Sequence, residues 1–192
     1  ACYYSRICVK TENADQYKDG DTYSIDNIKG KSFSFVSATS TSGFAIPSSS
    51  IVEKFGLESS DELLEDGKFF SSVMFGDSHQ GSAVNLLSGN AEAAAFDDID
   101  VDMYFDLVSG EPNTVGAVYQ VKDDAEAPFD TVRGEQFTII GITPVLNAPF
   151  CYNTDTLSED EQKAITDAMT SADTAANSAI FYDGEDENAL VW

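Results

Sequence analysis

Polar and apolar residues alternate along residues 32–36 (SFSFV), the period of a half-buried strand. Residues 3–9 (YYSRICV), 69–75 (FFSSVMF), 91–96 and 136–142 (QFTIIGI) also have strand composition. A further strand is predicted at 117–121, inside the acidic, loop-rich stretch 110–128. Helices are predicted between these strands. One follows the small-residue loop 37–42 and ends near Phe55, where Gly56 is the stop. Pro47 lies inside that pattern, so the helix is either kinked there or restarts at residues 48–50. A turn at 76–79 leads into a second helix at 80–88, stopped by Gly89. Residues 98–108 are predicted as a third, and 24–30 as a short helical lead-in after the turn-rich 10–20. Residues 143–149 are extended by two prolines. Ser158 with Glu161 three positions on forms a capping box, and Ala164, Ile165, Ala168 and Met169 then share one helix face. The tail 183–188 is acidic and Trp192 ends the chain, with Glu185 to Glu187 read as solvated.

Strand, loop, helix repeated in this order indicates an α/β lobe with a mostly parallel sheet. The 192 residues suffice for one generous domain or two small lobes, and 42% hydrophobic residues suffice for a packed core. No stretch approaches the roughly 20 apolar residues of a membrane helix. The chain starts at Ala1 without an apolar leader, so any targeting segment is expected to lie outside this sequence. Three cysteines, Cys2, Cys8 and Cys151, have no metal spacing. One bridge plus a free thiol, for example Cys8 to Cys151, and three buried thiols acting as small hydrophobes both fit.

Charge narrows the function. Ten basic residues against 34 acidic give a formal net charge of -24. Phosphate backbones require clustered Lys and Arg, so nucleic acid is not an expected partner. An anionic membrane surface is disfavoured on the same ground. An anionic ligand would approach against the global field and would need local donors.

Such donors occur in Ser37-Ala38-Thr39-Ser40-Thr41-Ser42-Gly43, between a strand and a helix. The first N–H groups of a helix lack intrahelical partners, and the helix dipole makes that end positive. Hydroxyls add donors and Gly43 permits close backbone approach. Ordinary capping also favours Ser and Thr at this place. A second helix start carries Ser78 as its cap and His79, the only histidine. Loops after parallel strands gather on one sheet edge, so the two starts are expected to converge.

These residues resemble a known family. Gly30-Lys31-Ser32-Phe33-Ser34-Phe35, Ser40-Thr41-Ser42-Gly43, Phe75 with Ser78-His79, and Ala93-Ala94-Ala95 are similar in kind and spacing to the phosphonate/phosphite/phosphate-type substrate-binding proteins of ABC importers. The likeness runs from about Tyr3 to about Met169, with residues 144–149 resembling the return strand. The resemblance implies a periplasmic-binding-protein-like fold of type II, two lobes closing between hinge strands, without a cofactor. One complete lobe would be residues 15–133; residues 1–14 and 134–192 would hold the hinge crossings and part of the second lobe, most of which would lie outside this sequence. It implies that Ser40, Thr41, Ser42 and His79 hold phosphorus oxygens; Gly43, Ser78 and Asp97 are further candidate ligand-binding residues, though Asp97 does not match the family's acidic positions. It also implies an extracytoplasmic protein, periplasmic or a cell-surface lipoprotein, partnered by a membrane permease. Members that bind aminoethylphosphonate carry acidic residues where this chain has Ala148 and Ile99. A simpler oxyanion is therefore at least as plausible as an amine-bearing phosphonate.

Three other readings have residues behind them. A Ser, His79, Asp97 hydrolase lacks the GxSxG turn that strains a nucleophile into place. A calcium loop at Asp98, Asp100 and Asp102 lacks Gly and Glu at its sixth and twelfth positions, where Met103 and Ser109 stand; an acid-rich helix N-terminus accounts for it better. A ligand-sensing lobe without transport would use the same fold.

Overall fold

The computed structural model describes residues 2–147 and 149–177. Ala148, the acidic tail with Glu185 to Glu187, and Trp192 lie outside them. The chain divides into two compact units, one of Cys2–Val145 and one from Leu146 onward.

The first unit holds a seven-stranded mixed sheet. Its strands are β1 (Cys2–Lys10), β4 (Ser32–Phe35), β5 (Ser72–Phe75), β6 (Ala93–Asp97), β7 (Phe105–Ser109), β8 (Val118–Val121) and β9 (Gln136–Leu146), in the order β5-β4-β6-β1-β9-β8-β7. A small separate hairpin pairs β2 (Lys18–Asp19) with β3 (Thr22–Tyr23). β4 is parallel to both β5 and β6, whereas β1 runs antiparallel to β6, and β8 antiparallel to β7 and β9.

Alternation along the strands builds two cores, one on each sheet face. Ile7 and Val9 of β1, Ala93 and Ala95 of β6, and Ile140 of β9 face one core together with Ile51 of α1 (Ile46–Phe55). Cys8, Ala94, Phe96 and Ile139 face the other, with Ala83, Leu86 and Leu87 of α2 (His79–Leu87). The alanines of β6 let α2 approach closely. That approach is fixed by Ser82, whose hydroxyl donates to the Ser34 carbonyl oxygen at 3.1 Å. Two glycines complete it: a Cβ on Gly76 would lie 2.1 Å from the Ser82 nitrogen, and one on Gly81 would lie 2.0 Å from the Gly76 oxygen. Arg6 is fully buried and satisfied by the Asp102 carboxylate, the Asn113 side chain and the Tyr119 ring.

The first helix reaches Phe55 and ends on Gly56 with φ 63°, as predicted. Pro47 neither kinks nor restarts it. The helix opens earlier, as a π-turn over Thr41–Ala45, and runs on as α from Ile46. Pro47 has no N–H to offer the carbonyls a turn before it. Those oxygens find tertiary donors instead: Ser42 accepts from the Ser5 hydroxyl at 2.6 Å and Gly43 from the Val36 N–H at 3.2 Å.

Two predicted helices are absent. Residues 24–30 are turns, stabilised locally by the Ser24–Asp26 hydrogen bond. Residues 98–108 form a short 3-10 turn, Asp102–Tyr104, and then β7. The acids there serve tertiary contacts rather than a helix dipole: Asp98 accepts from the Tyr4 N–H and Asn113, and Asp102 from Arg6. All three thiols are free, and only Cys8 is buried.

The second unit carries α3 (Glu159–Met169), opened by the predicted capping box of Ser158 and Glu161, and α4 (Ala172–Ala175). Among the described residues no helix is long and apolar enough to cross a membrane.

Candidate functional site

Parallel pairing places three strand ends on one edge. Phe35 of β4 lies opposite Phe75 of β5, and the ladder continues as Gly76 N–H donates to the Phe35 oxygen at 2.8 Å and Asp77 N–H to the Val36 oxygen at 2.9 Å. The two following loops are therefore side by side, and each starts a helix. β6 delivers Asp97 to the same edge.

Ser40 caps the first helix, its Oγ accepting from the Gly43 N–H at 3.0 Å. Its own hydroxyl proton remains to be donated outward. Thr41 is exposed, and among the described residues its hydroxyl has no partner. The N–H groups of Thr41 and Ser42 lie in the first turn, where no intrahelical acceptor exists. Gly43 is buried in contact with Val36, which leaves no room for a side chain. Ser78 caps the second helix, accepting from the Gly81 N–H at 2.9 Å.

Behind this front row lies a second. Ser42 is 3% exposed, and its hydroxyl donates to Asp97 Oδ2 at 3.2 Å. His79 reaches the same oxygen, with Nε2 3.3 Å from Asp97 Oδ2. His79 Nδ1 accepts from the Asp97 backbone N–H at 2.9 Å. That bond assigns the tautomer: Nδ1 bears the lone pair and Nε2 the proton. Asp97 Oδ1 accepts from the Asp100 N–H at 3.1 Å. Ser42, His79 and Asp97 are thus brought together, with Ser40, Thr41 and Gly43 on the same turn as Ser42.

Burial sets the ionisation here. It lowers the His79 pKa, against a smaller opposing pull from Asp100, and so favours the neutral ring. Burial also raises Asp97 to about 7, helped by the Asp100 charge and opposed by the hydrogen bonds from Asp100 N–H and Ser42. Carboxyl and imidazole therefore share one side of the site without forming a full ion pair.

The geometry limits what the group can do. A hydrolytic triad needs histidine between serine and carboxylate, to take the serine proton. Here the carboxylate lies between Ser42, which donates to it, and His79, whose Nε2 is 3.3 Å away. His79, Asp97 and Asp100 offer atoms within 4.8 Å of one another. A metal there would need a lone pair on Nε2, which instead carries the proton, so the cluster fits a hydrogen-bonded group and not a metal centre.

Sequence reasoning missed Ser5, and weighed Asp100 only as part of a calcium loop. Ser5 lies on the apolar face of β1, two residues before Ile7, and its hydroxyl holds the Ser42 carbonyl. A hydroxyl on an otherwise apolar strand face was the available signal. Ser5 also lines a 290 Å³ cleft with Pro47, Ser50, Lys54 and Thr143. The cleft adjoins the site but includes none of Ser40, Thr41, Ser42 or His79.

A family model described as ABC transporter, phosphonate, periplasmic substrate-binding protein matches residues 1–188. No curated protein matches the chain significantly. Among solved structures, a binding protein component of an ABC phosphonate transporter from Pseudomonas aeruginosa is similar at 14% identity and TM-score 0.46, over 86% of this chain and 44% of that one. A Xanthomonas citri protein bound to ATP is similar at 16% identity and TM-score 0.41, over 75% of this chain and 44% of that one. The chain thus spans less than half the length of either.

Proposed function

The chain belongs to the family of periplasmic substrate-binding proteins of phosphonate ABC transporters, and from that membership we propose that its Ser40–Ser42 turn captures a small phosphorus oxyanion, a phosphonate, phosphite or phosphate, for a membrane permease. One observation carries the reading. The turn presents outward donors on a helix N-terminus, next to a second helix start bearing His79, at one edge of a parallel strand trio. Ser40 and Thr41 hydroxyls and the N–H groups of Thr41 and Ser42 form the contacts. Gly43 admits the backbone, and Ser78, His79 and Asp97 support the turn from behind. Charge-assisted hydrogen bonds supply the affinity.

Residues 15–133 are the ligand-binding lobe, flanked by hinge strands in residues 1–14 and 134–192, and closure over the ligand presents it to the permease. The protein acts outside the cytoplasm. On this reading it binds its ligand without turning it over, since His79 is not placed to take the Ser42 proton.

A thermal-shift screen tests this with methylphosphonate, aminoethylphosphonate, phosphite, phosphate and sulfate. A ligand at 100 times its Kd adds about 2.7 kcal/mol, which for a chain of this size raises Tm by roughly 5–10 °C. A selective rise with a phosphorus compound supports the proposal. No rise with any of them overturns it.

A further inference from the structure

We propose that Asp97 is the proton-holding positioning residue of this site: when an oxyanion lodges on Ser40 and Thr41, the proton of Ser42 Oγ turns from Asp97 toward it, and the carboxylate takes up a proton from solvent in its place. This rests on the reading that the turn binds an oxyanion.

The argument starts from proton supply. Ser42 has one hydroxyl proton, and it points at Asp97 Oδ2 at 3.2 Å. His79 Nε2 lies 3.3 Å from the same oxygen. An anion in front of Ser42 finds its donor already engaged by a negative charge. If that proton turns, Asp97 keeps only the Asp100 N–H on its other oxygen. An almost fully buried carboxylate stripped of its side-chain donor is costly to hold ionised. Forming an O–H bond at Oδ2 removes the cost. The new hydroxyl then donates to Ser42 Oγ, whose own proton faces the ligand. One solvent proton is consumed and nothing is released.

Among the described residues no cation relieves Asp97 instead. From β1, Arg6 is held by Asp102, Asn113 and Tyr119, and Lys10 by Glu12 and Glu135. β4 and the Thr41–Ala45 turn bring no charged side chain, and α2 brings only His79. Within its own segment Asp98 and Asp100 add negative charge, both raising Asp97. The carboxyl already titrates near neutrality for these reasons, at about 7. Below that pH it is protonated before the ligand arrives. Above it, each pH unit lowers affinity by up to about tenfold until the bound-state value is reached.

The test uses the full 192-residue chain and methylphosphonate, by calorimetry at pH 8 in two buffers of different ionisation enthalpy. The wild-type chain should take up close to one proton more per ligand than Asp97→Asn. The ligand's own second ionisation is common to both and cancels. Equal uptake by both chains overturns the proposal while leaving oxyanion binding intact. Absence of binding in the wild type, for methylphosphonate, aminoethylphosphonate, phosphite and phosphate alike, overturns the oxyanion reading and this proposal with it. A second measurement needs neither ligand nor variant. His79 is the only histidine, so its ring NMR signals need no sorting. They should show an inflection near pH 7 from Asp97; a flat profile between pH 6 and 8 overturns the proposal.

Discussion

Ser40 offers a substitution that separates capping from binding. Its Oγ accepts from the Gly43 N–H at 3.0 Å, as a helix cap does with or without a ligand. Ser40→Ala removes both roles. Loss of the cap costs about 1 kcal/mol, a fall in Tm of roughly 2–4 °C for a chain of this size. Loss of a hydrogen bond to a charged ligand costs about 1.5–3 kcal/mol more in binding. Ser40→Asp divides the two. Aspartate caps as well as serine does, and its charge suits the helix dipole. Stability without ligand should therefore stay within about 1 kcal/mol of wild type. The same carboxylate would stand about 4 Å from a bound anion, a repulsion on the order of 4 kcal/mol at an effective dielectric of 20, or about three decades in Kd. The assay is a thermal melt of wild type, Ser40→Ala and Ser40→Asp with and without saturating methylphosphonate. Ser40→Asp should melt like wild type alone and show no ligand-induced rise. A rise as large as that of wild type would refute the reasoning, and the serine turn would be a helix cap and nothing more.

Other outcomes follow from the same geometry. Asp97 has a folded pKa above its unfolded value, so its contribution to stability is complete below about pH 4 and is lost as pH rises through about 7. Asp97→Asn should accordingly raise Tm relative to wild type at pH 8, with the gain fading toward pH 4; a gain independent of pH would contradict the burial argument. Gly76→Ala drives a Cβ to 2.1 Å from the Ser82 nitrogen, and backbone cannot yield as a side-chain tip does. It should cost about 3 kcal/mol, the upper end for overpacking, read as a shifted urea midpoint. Cys8 is buried and its thiol pKa is pushed up by that burial. In the native chain a thiol reagent should therefore modify Cys2 and Cys151, and Cys8 only after unfolding. Raising NaCl from 10 to 150 mM shortens the screening length from about 30 to 8 Å. Against a net charge of -24 this should speed association of an anionic ligand, and slowing would contradict that reading of the charge.

Much of the sheet was legible because its signals are local. Residues 32–36 alternate with the pleat, and Gly56 and Gly89 stop their helices at positive φ, 63° and 76°. The capping box at Ser158 is written in four consecutive residues. Residues 98–108 misled for a physical reason. Val101, Tyr104, Phe105 and Val108 fall at helical spacing behind acidic residues that suit a helix start. Pairing with β8, which sets Phe105 opposite Val121 and Leu107 opposite Tyr119, outweighs that pattern. Partners this far along the chain, from Val118 to Val121, leave no mark in the segment itself. The π-turn at Thr41 was hidden similarly, since the donors that make Pro47 acceptable come from Ser5 and Val36.

The site shows the same division at the level of single protons. Sequence can name a donor, because serine, threonine and a helix start are donors anywhere. It cannot say which acceptor already holds the proton. Ser40 and Ser42 differ by two positions and read alike, yet Ser40 accepts from Gly43 and keeps its proton for the outside, while Ser42 is turned inward to Asp97. His79 reads as a free donor and is instead held at Nδ1 by the Asp97 backbone N–H, with Nε2 beside the same residue's carboxylate. On the proposed reading the front row binds an oxyanion as it stands, whereas the second row must first be released by a change at Asp97. In so acidic a chain, with no lysine or arginine hydrogen-bonded to the turn among the described residues, that carboxyl proton is the nearest source of positive charge the site can add.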